Sequence, residues 1–174
     1  IRLSTGLTRI NVKVKATSEE TEINGHGPII SDDELQALYT QLDTLQDNDI
    51  LVLAGSIPSS LPSDMYELIM QRMESKNIRI IVDATKDLLT KVLPYKPFLI
   101  KPNNHELSEI FGRPLSTQDD LVAAAKELQI QGAQHVLISM AGDGAILISA
   151  DGQVFTSLAP KGTLINSVGA GSSE

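Results

Sequence analysis

After Pro28 the chain alternates short, almost uninterrupted apolar runs with amphipathic stretches, and few architectures accept that alternation. Ile50-Leu51-Val52-Leu53-Ala54 contains no polar side chain. A strand of this composition is expected to be covered on both faces by helices. Comparable runs recur at 78–82, 98–100 and 135–139. Between them the apolar residues change to helical spacing. Ser31-Asp32-Asp33-Glu34 has the form of a capping box, and Leu35, Leu38, Leu42 and Leu45 follow on one face of a helix expected to end near Asp47. Met65, Leu68, Ile69 and Met73 define a second helix. Further helices are expected at about 86–92, at about 104–111 stopped by Gly112 and Pro114, and at about 118–128 closed by Gly132. Strands that alternate with helices in this way form parallel βα units.

Two segments depart from that pattern. In Thr8-Arg9-Ile10-Asn11-Val12-Lys13-Val14-Lys15-Ala16 apolar and polar residues alternate, which describes a strand with one wet face, and 21–27 is expected to return antiparallel to it. Residues 1–27 therefore read as a small β lid and 28–174 as an α/β core. At the other end, 145–149 and 153–158 flank Ala150-Asp151-Gly152, a hairpin signal, so an antiparallel pair closes the parallel sheet.

Composition narrows the function. Fourteen basic against 22 acidic residues give a net charge of −8, a field that repels polyanions and argues against nucleic-acid binding while leaving room for a small phosphorylated ligand. The absence of cysteine removes thiolate metal sites, disulfides and Cys nucleophiles, and fits a cytoplasmic protein. No apolar run approaches the ~18 residues that span a bilayer, and Ile1-Arg2-Leu3-Ser4 does not open a secretory signal. The chain begins without Met and stops at Gly169-Ala170-Gly171-Ser172-Ser173-Glu174, where a glycine-rich turn should lead into another element, so a central piece of a longer protein is expected.

In open parallel sheets ligands collect outside the carboxyl ends of the strands. The polar punctuation here sits there: Gly55-Ser56, Asp83-Ala84-Thr85-Lys86, Lys101-Pro102-Asn103-Asn104-His105-Glu106 and Ser139-Met140-Ala141-Gly142-Asp143-Gly144. Each also has a purely structural explanation. Ser56 suits a turn, and Asp83 suits a helix cap better than an acid catalyst. Asn103 and Glu106, three residues apart at a helix start, suit either a cap with a first-turn acid or an oxygen-rich surface for hydrated Mg²⁺. Asn166-Ser167-Val168-Gly169-Ala170-Gly171 suits either a flexible loop or an anion hole of converging N–H groups. His26, His105 and His135 have no metal-ligand spacing.

Together and in this order, these segments resemble the ribokinase-like sugar kinases of the phosphofructokinase B group. The stretches that match are Thr8 to Lys13, Ala54-Gly55-Ser56-Ile57-Pro58, Lys101 to Glu106, Ser139 to Gly144, and Asn166 to Gly171. The resemblance implies a three-layer α/β/α sandwich with a β lid. It implies ATP-dependent phosphorylation of a phosphorylated ketohexose, nearest to members acting on fructose 1-phosphate or tagatose 6-phosphate. Separately, the apolar face of the lid strand, Ile10, Val12 and Val14, suits a homodimer that covers it. By the same resemblance Asn103 and Glu106 organise Mg²⁺ and the nucleotide phosphates, and Ser139, Gly142 and Gly144 border ATP. Arg9, Asn11, Lys13 and Ser56 meet the sugar phosphate. Gly169, Ala170 and Gly171 form the anion hole.

Two positions depart from the family pattern. Ala141 stands where the loop Ser-x-Gly-x-x-Gly has glycine. Ser172 stands where Gly-Ala-Gly is followed by the Asp that takes the proton from the sugar hydroxyl, and a serine hydroxyl is a poor base near neutral pH. Either the chain is a disabled, binding-only variant, or Ser172 is not the true neighbour of Gly171; the abrupt termini favour the second.

Overall fold

A computed structural model describes residues 1, 3, 5–15 and 20–161. The alternating segment forms a separate two-stranded antiparallel sheet, β1 (Asn11–Lys15) and β2 (Glu20–Asn24), with Val12 opposite Ile23 and Val14 opposite Thr21. As period 2 requires, the apolar residues share one side. Ile10, Val12, Val14 and Ile23 are all exposed there.

The capping box is realised at α1 (Asp32–Asp43): the Ser31 side chain accepts from Glu34 N–H, and Glu34 accepts from Ser31 N–H at 2.9 Å. The helix stops four residues before the expected Asp47. Lys76 Nζ takes the carbonyls of Asp43 at 2.5 Å and Leu45 at 2.7 Å, and Thr44 Oγ1 takes that of Gln41, so the terminal acceptors find partners without another turn. There follow β3 (Ile50–Ala54), α2 (Met65–Met73), β4 (Arg79–Asp83), α3 (Lys86–Val92), β5 (Leu99–Ile100), α4 (Asn104–Ile110), α5 (Gln118–Gln131), β6 (His135–Ser139), β7 (Ala145–Ile148) and β8 (Val154–Ser157).

The six strands β3 to β8 form one sheet in sequence order, parallel from β3 to β6 and antiparallel from β6 to β8. Sequential order joined by right-handed crossovers sends successive helices to the same face. Accordingly α2 packs on α3, α3 on α4 and α4 on α5. Leu53, Ile80, Val82, Ile100, Val136, Ile138, Ile146 and Ile148 point into that core and are buried. The opposite face explains a failed expectation. Ile50 and Val52 of β3 are 58% and 56% exposed, not covered on both faces, because among the described residues no helix lies over that side of the strand.

Parallel register brings four strand ends to one edge. Gly55 N–H donates to the Asp83 carbonyl at 3.0 Å, Lys101 N–H to that of Val82 at 3.0 Å, and Asn103 bridges to Ser139.

Candidate active site at one edge of the sheet

At this edge the lid and the loop after β3 are joined by side chains. Arg9 Nη1 donates to Ser56 Oγ at 2.7 Å, and its Nε donates to Asn11 Oδ1 at 2.9 Å. Three of the four residues expected on the sugar side thus form one connected group. The fourth, Lys13, lies on β1 in register with Glu22 and on the same side of the strand as Asn11. A cavity of about 400 Å³ opens beside Arg9, lined also by Leu7, Thr8 and Pro28.

The second group gathers after β4, β5 and β6. Asn103 caps α4: its Oδ1 accepts from Glu106 N–H at 2.7 Å, and Glu106 Oε2 accepts from Asn103 N–H at 2.9 Å. The capping geometry is therefore real. It leaves Oε1 of the carboxylate outside the cap. Burial pushes the Glu106 carboxyl above the usual glutamate range; the Asn103 N–H and the Lys101 charge oppose that shift, while Asp83 and Glu109 add to it. The cation that opposes the shift is shared with a second carboxylate. Lys101 Nζ lies 3.1 Å from Asp83 Oδ1, both side chains being partly buried.

That ion pair corrects the reading of Asp83 as a helix cap. Thr85 is the N-cap of α3, and Asp83 is still in β4. Because Val82 pairs with Ile100, one further residue on each strand brings Asp83 opposite Lys101. Only strand register reveals the contact. Tyr66 was also missed: it falls in the apolar pattern of α2, yet its hydroxyl reaches the Gly55 carbonyl at 3.0 Å.

From Ser139 the chain enters a tight loop in which Met140 N–H bonds the Gly144 carbonyl at 2.9 Å. Gly144 has φ +97°, and a Cβ there would lie 2.0 Å from the Ser157 carbonyl oxygen, so the loop can close on β8 only with glycine. A Cβ at Gly142 would meet open space. Ala141 adopts φ +46°, the left-handed conformation that glycine at this position would take without strain.

His105 and His26 are exposed. His135 belongs to the opposite edge, where its ring lies 4.7 Å from that of Phe98 and its Nδ1 accepts from Ala150 N–H at 3.2 Å. Among the described residues no group of three or more His, Cys, Asp or Glu could hold a metal ion, and no helix is long and apolar enough to cross a membrane. Gly169, Ala170, Gly171 and Ser172 lie outside the described residues.

Comparison with known proteins bears on the whole arrangement. The 1-phosphofructokinase of Bacillus subtilis is 52% identical over 168 residues, covering 97% of this chain and 55% of that protein. The D-tagatose-1-phosphate kinase of Bacillus licheniformis is 32% identical, over 95% of this chain and 54% of its own length. A crystal structure of phosphofructokinase-2 from Escherichia coli in complex with substrates and products superposes on 92% of this chain and 53% of its own with a TM-score of 0.78 and 29% identity. The chain spans about half the length of the curated relatives it matches. Residues 2–173 match the pattern of the pfkB family carbohydrate kinases, and with the relatives at hand this chain belongs to that family.

Proposed function

We propose that the whole protein transfers the γ-phosphoryl group of ATP to a hydroxyl of fructose 1-phosphate, giving fructose 1,6-bisphosphate. The observation that carries this reading is the Arg9–Ser56 contact, a cation held at the strand edge that also bears Asn103 and Glu106. Phosphoryl transfer asks little covalent chemistry of a protein and much positioning and charge. Arg9, Asn11, Lys13 and Ser56 bind and orient the sugar phosphate. Lys101, Ser139 and the loop through Gly142 and Gly144 border the nucleotide. Gly169 to Gly171 receive the charge that develops on the transferred group.

Asn103 and Glu106 suit Mg²⁺ through water. The Asn103 amide oxygen is committed to the cap, Glu106 keeps Oε1 outside it, and a hydrated Mg²⁺ asks for one or two such carboxylates together with phosphate oxygens. When bound, the ion neutralises phosphate charge. The lid's apolar side, with Ile10, Val12, Val14 and Ile23 exposed, supports a homodimer closed through that face. A cytoplasmic location is consistent with the absence of cysteine.

Tagatose 6-phosphate is the nearest alternative acceptor, and the D-tagatose-1-phosphate kinase relative supports testing the 1-phosphate as well. A coupled assay of ADP release by the full-length protein, with fructose 1-phosphate and both tagatose phosphates, decides among them. Preference for fructose 1-phosphate is expected. Negligible turnover with every sugar phosphate overturns the kinase reading and, with Ser172 confirmed directly after Gly171, favours a binding-only protein.

A further inference from the structure

Gly55 is held at both of its backbone polar atoms. Its N–H donates to the Asp83 carbonyl at 3.0 Å, and its carbonyl accepts the Tyr66 hydroxyl at 3.0 Å. The next residue is Ser56, whose hydroxyl receives Arg9. Gly55 sits at φ +84°, where glycine is unhindered and the peptide has no steric reason to keep one orientation. The two hydrogen bonds supply that reason.

Tyr66 is a core residue by position, 8% exposed and clustered with Met65, Ile69 and Met70. Phenylalanine would fill the same space. Only the phenol oxygen reaches out of the core to the loop. Burial and the neighbouring Asp83 charge push the phenol above its usual range, so it remains a donor across physiological pH. Asp83 has two roles in this arrangement: its carbonyl holds Gly55, while its carboxylate pairs with Lys101. The loop that carries Ser56 is therefore indexed to the nucleotide side through one residue and to the core through the other.

We propose that Tyr66 is a positioning residue for the sugar phosphate: its hydroxyl fixes the Gly55–Ser56 peptide and thereby the Ser56 hydroxyl against which Arg9 is set. This rests on the assignment of Arg9 and Ser56 to the acceptor, and the test separates the two. In the full-length protein, Tyr66→Phe keeps the ring and removes only the donor. Without the Tyr66 bond to its carbonyl, Gly55 should open from the Asp83 carbonyl more often, so exchange of its N–H should accelerate about five- to tenfold, with β4 unchanged. The sugar-phosphate KM should rise by a similar factor, with kcat and the ATP KM within about twofold of wild type.

Unchanged exchange at Gly55 overturns the positioning role. So does an equal rise in both KM values, which would mark a general loss of structure. Wild-type protein that phosphorylates no ketohexose phosphate would overturn the acceptor assignment, while the exchange measurement would still decide whether Tyr66 holds the loop.

Discussion

Arg9 Nη1 donates to Ser56 Oγ at 2.7 Å across 47 positions of sequence, joining the lid to the first loop of the parallel sheet. A guanidinium presents five donors, of which Arg9 commits one to Ser56 and one to Asn11. Under the proposed assignment the others are left for the sugar phosphate. Arg9→Ala in the full-length protein is expected to raise the sugar-phosphate KM about tenfold or more while leaving the ATP KM unchanged, since the loss is a charge-assisted contact of about 1.5–3 kcal/mol. Steady-state kinetics with each substrate varied in turn checks this, and an unchanged sugar KM removes Arg9 from the site.

Glu106→Gln separates the capping role from the charge. Gln at the third helical position still closes a capping box, so the fold keeps its partner for Asn103. Turnover should fall at least about tenfold, with a thermal midpoint no lower than wild type near neutral pH. A midpoint drop comparable to a core deletion would assign Glu106 to structure alone.

The same residue gives a pH dependence. Its carboxyl is held above the usual range by burial, so the folded state binds a proton more readily than the unfolded chain. Ionising it costs stability, which is fully present below the ordinary value of about 4.3 and lost as pH rises through the elevated one. The midpoint of Glu106→Gln relative to wild type should therefore climb over that window and then level off. Melting curves at a series of pH values measure it; a difference that shrinks as pH rises contradicts the burial of this carboxyl.

The loop at 139–144 makes opposite demands at two positions. Ala141 at φ +46° carries about 1–2 kcal/mol of left-handed strain, of which glycine would return part after its own entropic cost of about 0.4–1 kcal/mol. Ala141→Gly should raise the thermal midpoint by about 1–4 °C. Gly144→Ala should cost about 3 kcal/mol or more, because its Cβ would strike the Ser157 carbonyl. Calorimetry on both variants tests the pair, and equal midpoints would contradict the loop geometry.

Association through the lid predicts that Val12→Lys yields a monomer. Val12 stands opposite Ile23 at the middle of the exposed apolar side. Sedimentation of the full-length wild type and variant distinguishes the cases: a wild-type monomer, or a variant that remains dimeric, rules the lid out as the contact.

The parts of the fold legible in the sequence were those governed by local chemistry. Ser31 with Glu34 writes its cap into four residues, and Asp151-Gly152 marks its turn. The βα alternation follows from apolar period alone. What stayed hidden depends on which strands become neighbours. The pairing of Asp83 with Lys101 needs the register of β4 on β5, and the early end of α1 needs Lys76 from beyond α2. The apolar run of β3 suggested two covered faces, yet such a run reports only that both faces are apolar. Tyr66 was hidden for a different reason: a ring that satisfies the helical pattern conceals the hydroxyl at its end.

In the proposed arrangement one edge of the sheet brings nucleotide and sugar phosphate together. A crystal structure of the full-length protein with fructose 1-phosphate and a non-hydrolysable ATP analogue tests it most directly. The sugar phosphate is predicted against Arg9 and Ser56, with the nucleotide phosphates toward Asn103, Glu106 and the loop from Ser139 to Gly144. Either ligand bound instead at the opposite edge, beside His135 and Phe98, would contradict this arrangement.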